Sequence, residues 1–263
     1  MEFSCYLLME DLWQISDTAG NCATLAVGTE RAILFDTMIG LGDLKGFVRT
    51  LTDRPLIVAN SHGHMDHMGG NFQFETVYLH PADRRLIARD LANIPVREEH
   101  TGEELSNCRK SLSMTDNLTD LWPGTVFDLG GLHARILHLP GHTAGSIGLL
   151  LEEKKVLLAG DACTPQMCLF LEGAQELRVY QDTLQFLKEE AFDYFVLGHF
   201  TKLFPKAMLD KFEACTQLVG VKKGYDFYYS LIPSYTGKAY ILEAHNREAG
   251  GPIGIIVRAE QEA

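Results

Sequence analysis

The order of hydrophobic and polar positions in the first sixty residues predicts strands before helices. Three segments predict strands: LWQIS (12–16), CATLAVG (22–28) and RAILFDT (31–37). The last two are joined by GTE, which is typical of a hairpin. The apolar spacing of LGDLKGFVRTL (41–51) predicts a helix, and PLIVA (55–59) is short, apolar and typical of a buried strand.

Strand and helix patterns alternate through the rest of the chain. Further strands are predicted at TVYLH (76–80), TVFDLG (125–130), HARILHLP (133–140), SIGLLLE (146–152), KVLLAG (155–160) and YFVLG (194–198). Helices are predicted at PADRRLIARDLA (81–92), YQDTLQFLKEEA (180–191) and PKAMLDKFEACTQLV (205–219). The tail, residues 238–259, predicts a β-hairpin that turns at Gly-Gly-Pro. Hairpins followed by helices favour an α+β fold with mixed sheets covered by helices.

Two boundaries follow from this pattern. Residues 1–220 are expected to form one domain, and residues 221–263 a C-terminal β extension packed on the same domain. Residues 93–122 are polar and weakly periodic, and a connection of that length is usually functional or mobile. We therefore expect residues 93–122 to be an inserted lid over a cleft.

Composition narrows the class of protein. The chain has 263 residues and a formal net charge of −12, which argues against a nucleic-acid partner because phosphate backbones need basic patches. Its six cysteines include no Cys-x-x-Cys pair, and in a chain this long they are expected to be buried or free thiols of a reducing compartment rather than a disulfide framework. The first residues lack a basic, apolar leader, and no apolar run reaches the roughly 20 residues that span a bilayer. We expect a cytoplasmic protein that acts on a small molecule.

Four apolar runs end in a histidine or an aspartate. These are IVANSH, ILHLPGH, VLLAGD and FVLGH, and the stretch SHGHMDHMGG (61–70) adds three more such side chains. Functional side chains gather at strand ends, where a rigid scaffold presents them into a cleft. The resulting candidate set is His62, His64, Asp66, His67, His142, Asp161 and His199. The other five histidines, at 80, 100, 133, 138 and 245, lack this context and are expected to be structural.

The candidate side chains have the chemistry of a metal site. Imidazoles and carboxylates without thiolates suit zinc, iron or manganese, and seven ligands are too many for one tetrahedral ion. Two divalent ions that share a carboxylate would use all seven. His62 and His64 lie on one side of an extended backbone, while Asp66 and His67 point toward a second ion. Gly63 and the glycines at 69–70 are expected to allow a tight, irregular backbone there.

Four motifs in this order, SHGHMDHMGG, LPGHTAGSIG, LLAGDAC and VLGH, resemble the motif series of the metallo-β-lactamase fold superfamily. The resemblance runs from the FDT at 35–37 through His199. It implies a four-layer αββα sandwich with the metals at one edge of the two sheets. It also implies an assignment of ligands: His62, His64 and His142 for one ion, Asp66, His67 and His199 for the other, and Asp161 as the bridge.

The pattern is similar to the hydrolase branch that includes glyoxalase II and the lactonases. Many zinc β-lactamases have a cysteine where Asp161 stands, and Cys163 is expected to pack behind the site. The helical glutathione-binding extension of glyoxalase II has no counterpart after His199, which argues against glutathione thioesters and leaves other thioesters open. The resemblance implies a binuclear hydrolase in which a metal-bridging hydroxide attacks an ester, thioester or lactone, with Asp66 as the catalytic carboxylate.

Two alternatives belong to the same fold. A persulfide dioxygenase would hold a single iron through His62, His142 and Asp161, a facial set that suits oxygen activation. A phosphodiesterase or nuclease would use both ions on a phosphoryl centre, although the acidic charge disfavours a nucleic-acid substrate.

Overall fold

The computed structural model describes residues 3–87, 102–229 and 235–262. Its largest sheet has seven strands in the order of the sequence, β1 to β7. The strands are β1 Phe3–Met9, β2 Leu12–Asp17, β3 Cys22–Val27, β4 Ala32–Phe35, β5 Leu56–Ala59, β6 Val77–Leu79 and β7 Leu118–Asp120. Neighbours from β1 to β4 are antiparallel, and those from β4 to β7 are parallel.

The second sheet has six strands in the order β14-β13-β11-β10-β9-β8. They are β8 Val126–Asp128, β9 His133–His138, β10 Ile147–Leu151, β11 Val156–Leu158, β13 Tyr194–Val196 and β14 Phe204–Pro205. The third sheet has the order β12-β17-β16-β15, with β12 Gln166–Leu169, β15 Tyr225–Tyr228, β16 Thr236–Asn246 and β17 Gly251–Val257. The helices are α1 Leu44–Leu51, α2 Met65–Met68, α3 Gly102–Ser113, α4 Leu177–Glu189 and α5 Met208–Thr216.

The two larger sheets pack face to face. Ile33 and Phe35 of β4 meet Leu149 and Leu151 of β10 in one core of fully or nearly fully buried side chains. Alternate strand residues point to opposite faces, so Leu34 faces the other way and packs in a second core. Both faces of these strands are therefore covered, which explains why their sequences are continuous apolar runs rather than alternating ones.

Helices cover the outer faces. Leu44 and Val48 of α1 lie in the core that contains Leu34, and the side chain of Asp43 caps this helix by accepting from Gly46 N at 2.8 Å. On the other side, α4 and α5 pack on the six-stranded sheet. The layers are thus helix, sheet, sheet and helix, and the predicted αββα sandwich of the α+β class is confirmed.

The tail differs in detail from its prediction. β16 and β17 form the predicted hairpin, but Gly251 pairs with Asn246, so the turn is residues 247–250 and Pro252 lies inside the strand. Gly250, at φ +69°, supplies the left-handed conformation that closes this turn. β17 also pairs in parallel with β12, a segment from the middle of the chain. The tail is therefore joined by backbone hydrogen bonds to the loop region that follows Asp161.

The predicted insertion is only partly irregular. Residues 88–101, which include the start of the 93–122 segment and the end of the helix predicted at 81–92, lie outside the described residues. Residues 102–113 form α3, whose Ser111 hydroxyl donates to Gly69 O, and residues 118–120 form β7 at the edge of the large sheet. Strand β1 was not predicted, because as an edge strand it exposes most of its side chains and shows no buried alternation.

Candidate metal centre

All seven predicted residues meet at one edge of the two large sheets. Loops that follow β5, β9, β11 and β13 carry them to this edge, as the sequence predicted from the ends of the apolar runs. Their ligand atoms form three groups whose members lie within 4.8 Å of one another. The groups are His62, His64 and His142; His62, His67 and Asp161; and Asp66, His67 and His199.

The first group, called the histidine triangle, consists of His62, His64 and His142. His64 Nδ1 lies 3.0 Å from Nε2 of His62 and 3.0 Å from Nε2 of His142. Nitrogens bound tetrahedrally to one zinc ion at about 2.0–2.1 Å would be separated by about 3.3 Å. The triangle therefore has nearly the dimensions of three nitrogen ligands of a single ion.

Two rings of the triangle direct their outer nitrogen at a backbone carbonyl. His64 Nε2 is 2.9 Å from the oxygen of Glu172, and His142 Nδ1 is 3.1 Å from that of Cys168. A carbonyl oxygen only accepts, so each outer nitrogen carries the hydrogen and each inner nitrogen of a neutral ring carries a lone pair. The segment at β12 thus fixes the tautomers of both histidines.

The third ring is oriented by a hydroxyl. Ser61 Oγ donates to Asp36 Oδ2 at 2.8 Å and lies 2.9 Å from His62 Nδ1, so it accepts the hydrogen of His62. The inner Nε2 of His62 is then also a lone pair. Three lone pairs that converge at about 3 Å repel one another unless a cation lies between them. This arrangement is typical of metal-bound histidines, whose outer N–H is usually held by a carbonyl or an acid.

Burial keeps two rings of the triangle uncharged. His62 and His142 expose 1% and 3% of their surface, and burial lowers the pKa of both rings, that of His142 to about 4. The neighbouring histidine charges lower both pKa values further. Neutral imidazole is the form that binds a metal, so these two rings are ready to bind one at neutral pH.

The second group, called the acid–histidine group, consists of Asp66, His67 and His199. His199 Nε2 lies 3.5 Å from Asp66 Oδ2, and His67 Nε2 lies 3.9 Å from the same oxygen. Burial disfavours a charge on both rings, but nearby carboxylates outweigh it and raise the pKa of His67 well above its ordinary value and that of His199 to about 9. The side chains of Asp66 and His199 are 38% and 36% exposed, so these two ligands face the solvent, whereas His67 is buried.

Asp161 lies between the two groups. Its Oδ2 is 3.2 Å from His199 Nε2, 3.6 Å from His67 Nε2 and 4.0 Å from His142 Nε2. Burial would raise its pKa, but the charges of His199 and His67 outweigh burial and hold that pKa well below the usual range. Asp161 is therefore an anion placed to share its carboxylate between both groups.

Two buried polar atoms at this centre have no hydrogen-bond partner within the part of the chain that the structure describes. They are Nε2 of His67 and Oδ1 of Asp161. A buried polar atom without a partner costs free energy of folding unless it binds something else, such as an ion. A Cβ at Gly198 would lie 2.4 Å from the His67 ring and 2.7 Å from Asp161 Oδ1, so the glycine of the VLGH motif allows both side chains to be there.

Asp36 supports both groups and was not among the predicted site residues. Its carboxylate accepts from Ser61 N at 2.6 Å, from Ser61 Oγ at 2.8 Å and from His67 Nδ1 at 2.8 Å. The FDT segment at 35–37 carried a signal only as the start of the family resemblance. The structure adds that Asp36 has φ +72°, which is uncommon for a residue other than glycine.

The glycines of the motif have a different role from the predicted one. Gly69 and Gly70 adopt ordinary φ values of −60° and −91°, and residues 65–68 form one helical turn, α2. A Cβ at Gly69 would lie 2.3 Å from the backbone of Ile39, and one at Gly70 would lie 2.5 Å from Thr37 O. Close approach of two backbones, and not an unusual conformation, therefore requires glycine at both positions.

The remaining histidines of the described residues and Cys163 lie outside the centre. Cys163 is fully buried in the core under α4, and burial raises the pKa of its thiol. His133 is paired with Glu153 at the surface. His80 and His138 stack on each other with ring centroids 4.8 Å apart. Of the five histidines expected to be structural, His100 lies outside the described residues.

Comparison with known proteins agrees with this geometry. Residues 17–199 match the family model described as the metallo-beta-lactamase superfamily. The acyl-coenzyme A thioesterase MBLAC2 of Bos taurus is 32% identical over 167 residues, which cover 54% of this chain and 59% of that protein. The hydroxyacylglutathione hydrolase GloC of Haemophilus influenzae is 25% identical over 150 residues, which cover 54% of this chain and 65% of that protein.

A solved structure shows the same fold. A metallo-beta-lactamase family protein from Thermus thermophilus superposes with a TM-score of 0.59 and 22% identity, over 76% of each chain. The chain spans about three fifths of the length of the curated relatives it matches. The matched region includes every residue of the candidate centre.

Proposed function

The chain belongs to the metallo-β-lactamase superfamily, and on that premise we propose that it is a metal-dependent hydrolase of a small acyl thioester. The observation that carries the proposal is the convergence of three histidine lone pairs beside a carboxylate shared with a second group of ligands. Two relatives are enzymes whose names indicate thioester substrates. They are an acyl-coenzyme A thioesterase and a hydroxyacylglutathione hydrolase. Esters and lactones present the same acyl carbonyl and are the next candidates.

The residues present fit two divalent ions. The histidine triangle would hold one, the acid–histidine group the other, and Asp161 would bridge them. Nitrogen and oxygen ligands suit zinc best, with iron and manganese as alternatives. When bound, such ions lower the pKa of a water toward neutrality and polarise an acyl carbonyl.

Asp66 is the residue we propose for proton transfer. Its side chain is 38% exposed, in contrast to the buried carboxylate of Asp36, so substrate and solvent reach it. The neighbouring charges of His67 and His199 lower its pKa against the effect of burial, which keeps it an acceptor at neutral pH. Asp66 would orient the attacking water and receive its proton.

The substrate class and the cellular compartment are proposed from the charge and the cysteines of the chain. The net charge of −12 supports a small-molecule substrate over a nucleic acid. Cysteines 5, 22, 163, 168 and 215 are free thiols, which supports a reducing, cytoplasmic compartment. Within the described residues, no helix is long and apolar enough to cross a membrane.

A substrate panel tests the proposal. Zinc-, iron- and manganese-loaded protein is assayed with acyl-coenzyme A thioesters, hydroxyacylglutathione, lactones, a phosphodiester and a persulfide. Hydrolysis of a thioester that stops with a chelator and returns with metal is the expected result. Oxygen uptake with the persulfide and no thioester hydrolysis would favour the mononuclear-iron dioxygenase, and turnover of the phosphodiester alone would favour the phosphodiesterase.

A further inference from the structure

A buried carboxylate that touches no candidate ligand lies between the two loops of the histidine triangle. Asp83 is 1% exposed and belongs to the short 3₁₀ turn Pro81–Asp83 that follows β6. Its Oδ2 accepts from Gly63 N at 2.9 Å and from Thr143 Oγ1 at 2.7 Å, and its Oδ1 accepts from Gly145 N at 2.7 Å. One carboxylate therefore binds both loops at once.

The partners of Asp83 are next to the metal ligands in sequence. Gly63 separates His62 from His64, and Thr143 directly follows His142. A shift of Gly63 relative to Thr143 would change the 3.0 Å separation between His64 Nδ1 and His142 Nε2. The hydrogen bonds of Asp83 thus act on one of the nitrogen–nitrogen distances that decide whether three nitrogens can share an ion.

The sequence around Asp83 is adapted to this contact. A Cβ at Gly145 would lie 2.6 Å from Asp83 Cγ, and a Cβ at Gly63 would lie 3.0 Å from Asp83 Cβ. Glycine at both positions lets the amides approach the carboxylate closely. Thr143 Oγ1 is also 2.8 Å from Ser146 Oγ, which accepts from Thr143 N at 3.1 Å, so the His142 loop is closed on itself by hydrogen bonds.

The turn that carries Asp83 is itself anchored to the same loop. His138 Nε2 donates to Ala144 O at 2.9 Å, and the ring of His80 stacks on that of His138. His80 Nδ1 accepts from Ala82 N at 3.3 Å at the start of the turn. The two loops are also joined at their base, where Ile147 N donates to Ser61 O at 2.8 Å, a bond that lies next to the sheet. The β12 segment holds the rings of His64 and His142, whereas Asp83 joins the backbones of the two loops to each other.

We propose that Asp83 is a positioning residue of the metal centre, whose carboxylate sets the separation of the two loops of the histidine triangle. It would act through its hydrogen bonds to Gly63, Thr143 and Gly145. The inference rests on the proposed metal-dependent function, and its test is a binding measurement that needs no substrate. Residues that orient metal ligands typically contribute about 10–100-fold to metal affinity.

Asp83→Asn tests the proposal, with Asp17→Asn as the matched control. Asp17 is also buried and also accepts three hydrogen bonds, from Ala19 N, Asn21 N and Asn21 Nδ2, but it caps a different turn. Metal-free proteins are titrated with Co²⁺ against a chelator, and the visible spectrum of the first ion is recorded. Asp83→Asn should lower the affinity for the first Co²⁺ ion about 10–100-fold and change the visible spectrum of that ion. Asp17→Asn should leave both within about three-fold of wild type.

A second pair keeps the test decisive if Asp83→Asn does not fold. Thr143→Val removes one hydrogen bond to Asp83, while Thr143→Ser keeps it. Thr143→Val should weaken the first Co²⁺ ion, and Thr143→Ser should restore wild-type affinity and spectrum. Equal affinities for wild type, Asp83→Asn and Thr143→Val would overturn the proposal, and so would an equal loss in Asp17→Asn.

Failure of this inference is distinguishable from failure of the proposed function. Wild-type protein that binds Co²⁺ tightly and hydrolyses no thioester would contradict the function and leave the role of Asp83 intact. Wild-type protein that hydrolyses a thioester while Asp83→Asn binds Co²⁺ as tightly would contradict the inference alone. Wild-type protein without a tight Co²⁺ site would overturn both.

Discussion

The two halves of the metal centre are built by different physical means. In the histidine triangle, His62 and His142 are almost completely buried, and each ring is fixed by a hydrogen bond on its outer nitrogen. In the acid–histidine group, Asp66 and His199 are more than a third exposed and are held near each other by opposite charges. One half is preorganised by hydrogen bonds to all three rings. In the other half a hydrogen bond to Asp36 fixes only the buried His67, and opposite charges hold the exposed Asp66 and His199 near each other.

This difference predicts that the two groups bind their ions with different affinities. A site whose ligands are already neutral and oriented binds an ion without first losing protons or rearranging. A site whose histidines are protonated must release protons to bind, and exposure brings it into contact with substrate. We expect the histidine triangle to hold the tighter ion and the acid–histidine group to hold the weaker one at the substrate side.

The largest effect is expected from the residue that belongs to both halves. Asp161→Asn removes the charge that lies 3.2 Å from His199 and 4.0 Å from His142. Thioester hydrolysis should fall by about 10³-fold or more, because metal activation supplies the nucleophile at neutral pH. The measurement is kcat with metal content on the same sample, and Asp128→Asn, at the surface, is the control. Activity within about ten-fold of wild type would show that the halves work separately.

Removing one ligand from each half should separate the two ions. His142→Ala should lower the affinity for the tighter ion by at least about a hundred-fold. His199→Ala should lose only the weaker ion but should still lose hydrolysis. Elemental analysis after dialysis against a chelator measures both. A His199→Ala protein that keeps one iron and consumes oxygen with a persulfide would contradict the hydrolase and support the dioxygenase.

The halves should also differ in their response to pH. His199, with a pKa of about 9, is protonated at pH 7 in the metal-free protein, and nearby carboxylates raise the pKa of His67 well above its ordinary value against the effect of burial. The affinity for the second ion should therefore fall as the pH is lowered from 8 to 6, by about ten-fold per unit for each proton displaced. The affinity for the first ion should change little, because burial lowers the pKa of His62 well below its ordinary value and that of His142 to about 4. Calorimetric titrations in buffers of different ionisation enthalpy count the protons, and equal numbers for the two ions would refute the comparison.

The smallest effect concerns a hydroxyl beside the triangle. Ser61→Ala removes the acceptor that orients His62 and one of the three hydrogen bonds to Asp36. The first ion should bind about ten-fold more weakly, since such supporting contacts contribute about 10–100-fold. Ser16→Ala removes a part-buried hydroxyl in β2 and serves as the control. If Ser61→Ala changed only the second ion, the hydrogen bond to His62 would not be what fixes the triangle.

The sequence predicted the parts of this centre that depend on local order. The ends of four apolar runs placed His62, His142, Asp161 and His199 at one sheet edge, because a strand and the residue that ends it are close in the chain. The layers followed from the family resemblance and from continuous apolar runs such as β10, which are typical of strands covered on both faces.

The supporting contacts could not be predicted in the same way. Asp83 is 60 residues from Thr143 in the chain, and Cys168 O is 26 residues from His142, so no local pattern joins these partners. The pairing of β12 with β17 joins positions still further apart, such as Gln166 and Gly254, and was not predicted. The glycines at 69 and 70 are visible in the motif, but only the structure shows that they meet the backbone at Thr37 and Ile39.

The order in which the two halves fill is the most direct test of this account. Crystals of the metal-free protein are soaked with one molar equivalent of Zn²⁺ at pH 7, and an anomalous difference map is calculated at the zinc edge. The account predicts one strong peak within about 2.0–2.1 Å of the nitrogens of His62, His64 and His142. A peak among Asp66, His67 and His199 with none at the triangle, or two peaks of equal height, would contradict it.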